Sequence, residues 1–266
     1  MIDFSNLRVL FLVSAFNGLS QKIWVNLTPR FKSFKLQIGV DEHKIHAFHP
    51  DLILSPFLQH YIPDSVWFKY PCLIVHPGPP GDGGPSSLNW AILNKQKKWG
   101  VSILQGDAGW DCGKVWASDS FDIPEDATVG GLYRNQISDT TLRLVPEAIS
   151  NYLSQSSPIE TPALEYRKKI TQDDLSFSWS EPAVDILRKI RAGDSQPGTI
   201  GEIEGKRFHL FGAFLTEEIE SPGKIKSLDL SGITIGTGDR CIHIRQLAIE
   251  GDIKQRACEA LKTEAI

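Results

Sequence analysis

Apolar and polar positions follow one rhythm in the first half of the chain and a different one in the second. Residues 7–15 (LRVLFLVSA) form a nearly continuous apolar run, as a strand covered on both faces should. Residues 17–31 read as a helix, with Asn17 or Ser20 as its N-cap. Short strand-like runs follow at 35–40, 51–54, 72–75, 101–104 and 114–117, and a helical stretch carries Ile45 and Phe48. A long amphipathic segment, 129–153, closes this half as a helix. Strands separated by helical segments of this size predict a mostly parallel α/β sheet.

The rhythm changes after residues 155–165, which are rich in Ser, Pro and Thr and read as a linker. Beyond it, 181–192 is a short helix with Ser180 as N-cap and Pro182 in its first turn. Short strands are expected at 199–204, 207–215, 224–230, 233–235 and 241–247, separated by glycines at 205, 223, 232 and 238. Such spacing suggests a small barrel. The expected organisation is a catalytic-type domain over 1–154, a linker over 155–165 and a barrel-like domain over 166–266.

Composition narrows the function classes. Of 266 residues, 41% are hydrophobic and 23% charged, which is ordinary for a globular chain. The net charge of −4 argues against a nucleic-acid partner. Cys72, Cys112, Cys241 and Cys258 lack CxxC spacing and read as reduced thiols. The N-terminal apolar run is too short to span a bilayer and lacks a basic leader, so a cytoplasmic location is expected. His43, His46 and His49 stand at i, i+3 and i+6 without a zinc-type ligand set, and no metal is expected.

Two segments carry candidate chemistry. His76 ends the apolar run CLIV and opens HPGPPGDGGPSSLNW, in which five glycines and prolines precede Asp82. Open α/β sheets bind ligands at loops off strand ends. Ser86 or Ser87 then caps the next helix and leaves backbone N–H groups near the loop. His76 is a general acid/base candidate because imidazole titrates near neutrality. A lone histidine is also commonly a structural residue satisfied by a carbonyl. The second segment is GVSILQGDAGWDCGK (100–114), with Asp107 and Asp111 four apart in a glycine-rich loop. A carboxylate here could orient an imidazolium; Asp and Gly also dominate ordinary turns.

Together these segments resemble the folate-dependent formyltransferase family. Its motif is a strand ending in Asn-x-His before a Pro-containing loop, then a strand leading into a loop with Asp before Gly. Residues 74–76 (IVH) fall on the first part and 107–113 (DAGWDCG) on the second. The resemblance extends past the linker through 177–179 (FSW) and the run EPAVDILRKIRAGDSQPGTIGEIEGKRFHLFGA. Within the family it is nearest to the formyltransferase portion of the HypX/HoxX hydrogenase maturation factors, through HPGPPGDGGPSSLNWAI, GGLYRNQIS and ILRKIRAGDSQPG.

The resemblance implies a Rossmann-like sheet with a small C-terminal β-barrel domain and 10-formyltetrahydrofolate as formyl donor. It makes His76 and Asp111 the catalytic pair. Gln105, Gly106, Asp107, Ala108, Gly109 and Trp110 would cradle the pterin with Asp111, and Pro56, Phe57 and Leu58 would line the folate cleft. It further implies a small-molecule acceptor, with coenzyme A as the thiol, and a separate crotonase-like domain as a partner. N-formylation of a small amine, or folate binding without chemistry, are the competing readings. One position departs from the family. Ile74 stands where the family has an asparagine, and losing such an oxyanion donor costs roughly 3 kcal/mol.

Overall fold

The apolar run near the N-terminus becomes β1 (Arg8–Val13), buried throughout except for the half-buried Arg8. The computed structural model describes residues 4–194, 196–249 and 251–263. After β1 come α1 (Gly18–Leu27), β2 (Ser33–Ile38), α2 (Glu42–Phe48), β3 (Leu52–Ser55), α3 (Asp64–Trp67) and β4 (Cys72–His76). Asn17 caps α1 as expected, its Oδ1 accepting from the Ser20 N–H at 3.0 Å. Next are the two-residue strand β5 (Asp82–Gly83), α4 (Ser87–Leu93), β6 (Lys98–Gln105) and β7 (Val115–Asp122). The expected 129–153 helix is α5 (Val129–Leu132), a π-turn (Tyr133–Ile137) and α6 (Ser138–Leu153) in direct succession.

Six strands form one sheet in the order β2-β1-β3-β4-β6-β7. The first four run parallel. β6 runs antiparallel to β4, and β7 antiparallel to β6. This reversal decides where the site lies. Gln105, at the end of β6, pairs with Leu73 near the start of β4, while His76 pairs with Ser102. The loop after β6 therefore leaves from the far end of β4 and must travel back to reach His76. One face of the sheet packs Leu10, Leu12, Ile53 and Cys72 against Ile45, Val66 and Tyr70. Each large side chain so buried contributes about 1.5–3 kcal/mol.

The chain divides into two compact units that interleave along the sequence. The first comprises 1–87, 97–123 and 132–168; the second comprises 88–96, 124–131 and 169–266. The segment read as a linker is fastened to the first unit. Ile159 bridges Val115, and β8 (Glu165–Tyr166) pairs in parallel with β5. Its Ser/Pro/Thr composition signals a lack of regular structure, which is compatible with tight attachment.

The second unit contains α7 (Gln172–Leu175), α8 (Ala183–Ala192), β9 (Thr199–Ile203), β10 (Lys206–Leu215), β11 (Ile225–Asp229), β12 (Gly232–Gly236), β13 (Cys241–Ala248), β14 (Gln255–Arg256) and α9 (Ala257–Thr263). Its strands pair antiparallel in the linear order β11-β12-β13-β10-β9, with β14 on β13. Among the described residues no ladder joins β9 to β11. Ala183, Ile186, Leu187 and Ile190, at i, i+3, i+4 and i+7, put one face of α8 onto Phe208, Leu210, Ile233 and Ile244. Ser180 does not cap α8. The Ala183 N–H donates instead to Asp239 Oδ1 at 2.7 Å, a cap supplied from a distant loop. Among the described residues no helix is long and apolar enough to cross a membrane.

Candidate active site

His76 is the last residue of β4, and its side chain is only 4% exposed. Its Nε2 lies 2.9 Å from Asp82 Oδ2. Three donors converge on that carboxylate. Ser87 Oγ donates to Oδ2 at 2.5 Å, and Arg167 Nε donates to Oδ1 at 2.7 Å, alongside the His76 ring. Arg167 arrives on the segment that β8 fastens to β5, and it also pairs with Glu165 at 3.1 Å. Burial by itself would push the Asp82 carboxyl up. The hydrogen bonds from His76, Ser87 and Arg167 outweigh it and hold the group below the ordinary carboxylate range.

That direction fixes a pH dependence. A carboxyl that titrates lower in the folded chain than its unfolded value of about 3.9 adds stability that is complete above that value. The contribution is lost as pH falls through the native pKa. Urea unfolding followed from about pH 6 to about pH 3 is expected to show a falling limb that flattens in Asp82→Asn. Equal slopes in both proteins would exclude Asp82 as its source.

On the other side of the ring, Nδ1 faces Asp111 Oδ1 at 3.6 Å, within ion-pair range and beyond a hydrogen bond. Asp111 Oδ2 accepts the Gly84 N–H at 2.8 Å. The loop returning from β6 turns at Asp111 itself, which adopts a left-handed φ of 54°. Asp tolerates that conformation better than most residues. The glycines of the loop after His76 also have a steric reason. A Cβ on Gly78 would stand 2.2 Å from Asp82 Oδ2 and 2.5 Å from His76 Nε2. Ser102 Oγ and Trp99 Nε1 hold this loop down by donating to the Gly78 and Pro77 carbonyls at 2.8 and 2.9 Å.

Beside Asp111 opens a cleft. Ile74 and Leu104, a register pair on β4 and β6, form part of its wall. Of the other candidates, Leu58, Gln105, Gly106, Asp107, Gly109, Trp110 and Asp111 line it too. Ala108, Pro56 and Phe57 are not among the lining residues. Phe57 instead accepts the Ser14 N–H through its carbonyl at 2.8 Å. His60, Tyr61 and Ile62 also line the cleft, and sequence reasoning did not single them out. The Trp110 ring, 48% exposed, lies 6.0 Å from that of Tyr61, so two aromatic faces flank the opening. The Tyr61 hydroxyl donates to Asp64 at 2.6 Å, and this bond raises the phenol's pKa.

His76 itself is absent from the lining. From the cleft inward the order is Asp111, whose side chain is 18% exposed, then the imidazole, then Asp82 with Arg167. The arrangement can exchange a proton with a ligand at Asp111 and pass it to a ring whose far nitrogen is anchored. Asp82 and Arg167 went unrecognised because one lay hidden in a turn-like loop and the other lies 85 residues further on. The proximity of two carboxylates to one ring leaves no local trace in sequence.

The chain is similar to several known proteins. Residues 169–264 match the formyl transferase C-terminal domain. The hydrogenase maturation factor HoxX of Bradyrhizobium diazoefficiens is 32% identical over 97% of this chain, which spans 46% of that protein. HypX from Aquifex aeolicus, solved in complex with tetrahydrofolic acid, superposes with a TM-score of 0.91 at 34% identity over 97% of this chain and 47% of that one. A methionyl-tRNA formyltransferase from Malacoplasma penetrans is 26% identical over 80% of this chain. The chain thus spans about half the length of the HoxX and HypX proteins it matches. Its residues 169–264 carry the formyl transferase C-terminal domain, and nearly the whole chain is similar to about half of the HoxX and HypX hydrogenase maturation factors.

Proposed function

We propose that this chain transfers the formyl group of 10-formyltetrahydrofolate to a thiol carrier such as coenzyme A, in a cytoplasmic step of hydrogenase maturation that supplies the carbon monoxide ligand. The observation that carries the reading is the meeting of His76 and Asp111, 35 positions apart in sequence, at 3.6 Å beside a glycine-rich, aromatic-flanked cleft. The likeness to a HypX solved with tetrahydrofolic acid supports the choice of donor.

In this reading Gln105, Gly106, Asp107, Gly109 and Trp110 hold the pterin, and Leu58 supports the folate side of the cleft. The acceptor sulfur bonds to the formyl carbon as its proton leaves toward Asp111 and His76. The carbon–N10 bond then breaks, N10 takes up a proton, and a thioester and tetrahydrofolate result. A carboxylate beside the ring favours the imidazolium that forms on the way. Ile74 cannot donate to the oxyanion, so the loop N–H groups and the charged ring take that part. A crotonase-like domain, as a separate module, would use the thioester.

The test is a turnover assay with the formyl donor and either coenzyme A, a small amine or buffer alone. Tetrahydrofolate release that depends on coenzyme A, with a formyl thioester as product, is expected. Turnover with the amine alone would move the acceptor class to amines. Donor binding with no formyl loss under any condition would leave a folate-binding protein without chemistry.

A further inference from the structure

We propose that Asp82, anchored by Arg167 and Ser87, is a positioning residue that fixes His76 as its Nε2–H tautomer and so turns Nδ1 toward Asp111 and the cleft. The proposal deepens the formyl-transfer reading and rests on it.

A neutral imidazole carries one N–H and one bare nitrogen, and its partners decide which is which. An ionised carboxylate only accepts, so the nitrogen that it touches must hold the proton. Asp82 Oδ2 touches Nε2 at 2.9 Å. Nδ1 is left facing Asp111 Oδ1 at 3.6 Å, which makes it the nitrogen that gains and loses the proton during turnover. The ring is far more buried than Asp111, so the anchored side cannot be reached from solvent.

Asp82 could not do this alone. The side chain is 3% exposed, and an isolated carboxylate at that depth would take up a proton. Arg167 lies 2.7 Å from the other oxygen and is itself 16% exposed. Guanidinium stays charged at all accessible pH, so the anchor does not titrate with the ring. Ser87 Oγ, 2.5 Å from Oδ2, also sits 3.3 Å from the Gly84 carbonyl and 3.5 Å from Nε2, and so holds the carboxylate at a fixed angle to the ring. The titratable and charged groups facing the pair are then Asp111 across the ring, with Arg167 and Glu165 behind Asp82.

Two measurements test this on the full chain. The first needs no variant: NMR of isotope-labelled histidine ring nitrogens, with the His76 signals assigned from their loss in His76→Gln. Nε2–H with a bare Nδ1 is expected at alkaline pH. The Nδ1–H tautomer there would overturn the proposal whatever any variant does. The second is Asp82→Asn, in which the amide can offer either its oxygen or its NH₂ group. Expected are a fall in kcat of about 100-fold with donor KM within a few-fold of the parent, a displaced pH–rate profile, and a mixed tautomer signal. An unchanged kcat and pH profile in a folded Asp82→Asn would overturn the positioning role while leaving formyl transfer intact. A parent protein that turns over no formyl donor would instead defeat the functional reading, and the tautomer measurement would still decide the role of Asp82.

Discussion

His76→Ala is expected to lower formyl-donor turnover by a factor of about 10²–10⁴ while the donor's dissociation constant stays within a few-fold of the parent. Both halves follow from position. The imidazole has a hydrogen-bonded carboxylate on one nitrogen and a second carboxylate 3.6 Å from the other, so its loss breaks the path between Asp111 and Asp82. Yet it does not line the cleft, so little contact with a bound folate is lost. Asp111→Asn should behave differently, raising the donor KM as well as lowering kcat, because Asp111 does line the cleft. Stopped assays of tetrahydrofolate release, paired with titration calorimetry of the donor, read the two quantities separately. Unchanged turnover in His76→Ala would remove the ring from the mechanism.

Gly78→Ala is expected to be nearly as damaging, although it adds a single methyl group to a loop. That methyl would meet Asp82 Oδ2 at 2.2 Å and His76 Nε2 at 2.5 Å, far inside contact distance. Neither side chain has freedom to yield. Asp82 is held by three donors, and the loop backbone is tied to β6 by Ser102 and Trp99. Overpacking of this kind costs about 1–3 kcal/mol. The larger effect should fall on catalysis, because misplacement of a catalytic group by about 1 Å can cost around 10²-fold. Thermal unfolding and turnover measured on the same preparation separate the two. Parent-like kcat in Gly78→Ala would mean that the His76–Asp82 contact tolerates displacement.

Much of the fold was legible because burial on both faces leaves a plain mark. The runs that became β1, β3 and β4 are almost entirely apolar, and the face of α8 shows the helical period. The antiparallel insertion of β6 was not legible, since strand direction depends on the path of residues 77–97 and not on the strand's own composition. The site was half legible. His76 and Asp111 stand beside glycines and a strand end, where chemistry is often placed. Asp82 stands beside glycines too, but there the same residues read as a turn, and only the three-dimensional path of the loop aims its carboxylate back at the ring six positions earlier. Arg167 carried no signal, because its role comes from the two-residue pairing of β8 with β5.

That pairing has a practical consequence for anyone dissecting the chain. Cutting after residue 154, where composition invites a cut, would retain the histidine and both of its acidic neighbours but discard the guanidinium that neutralises one of them. The trimmed piece would then hold a deep anion with no fixed countercharge, so a dead fragment would testify to a misplaced scissor and not to an inert protein. A boundary drawn after Lys168 keeps the staple in place.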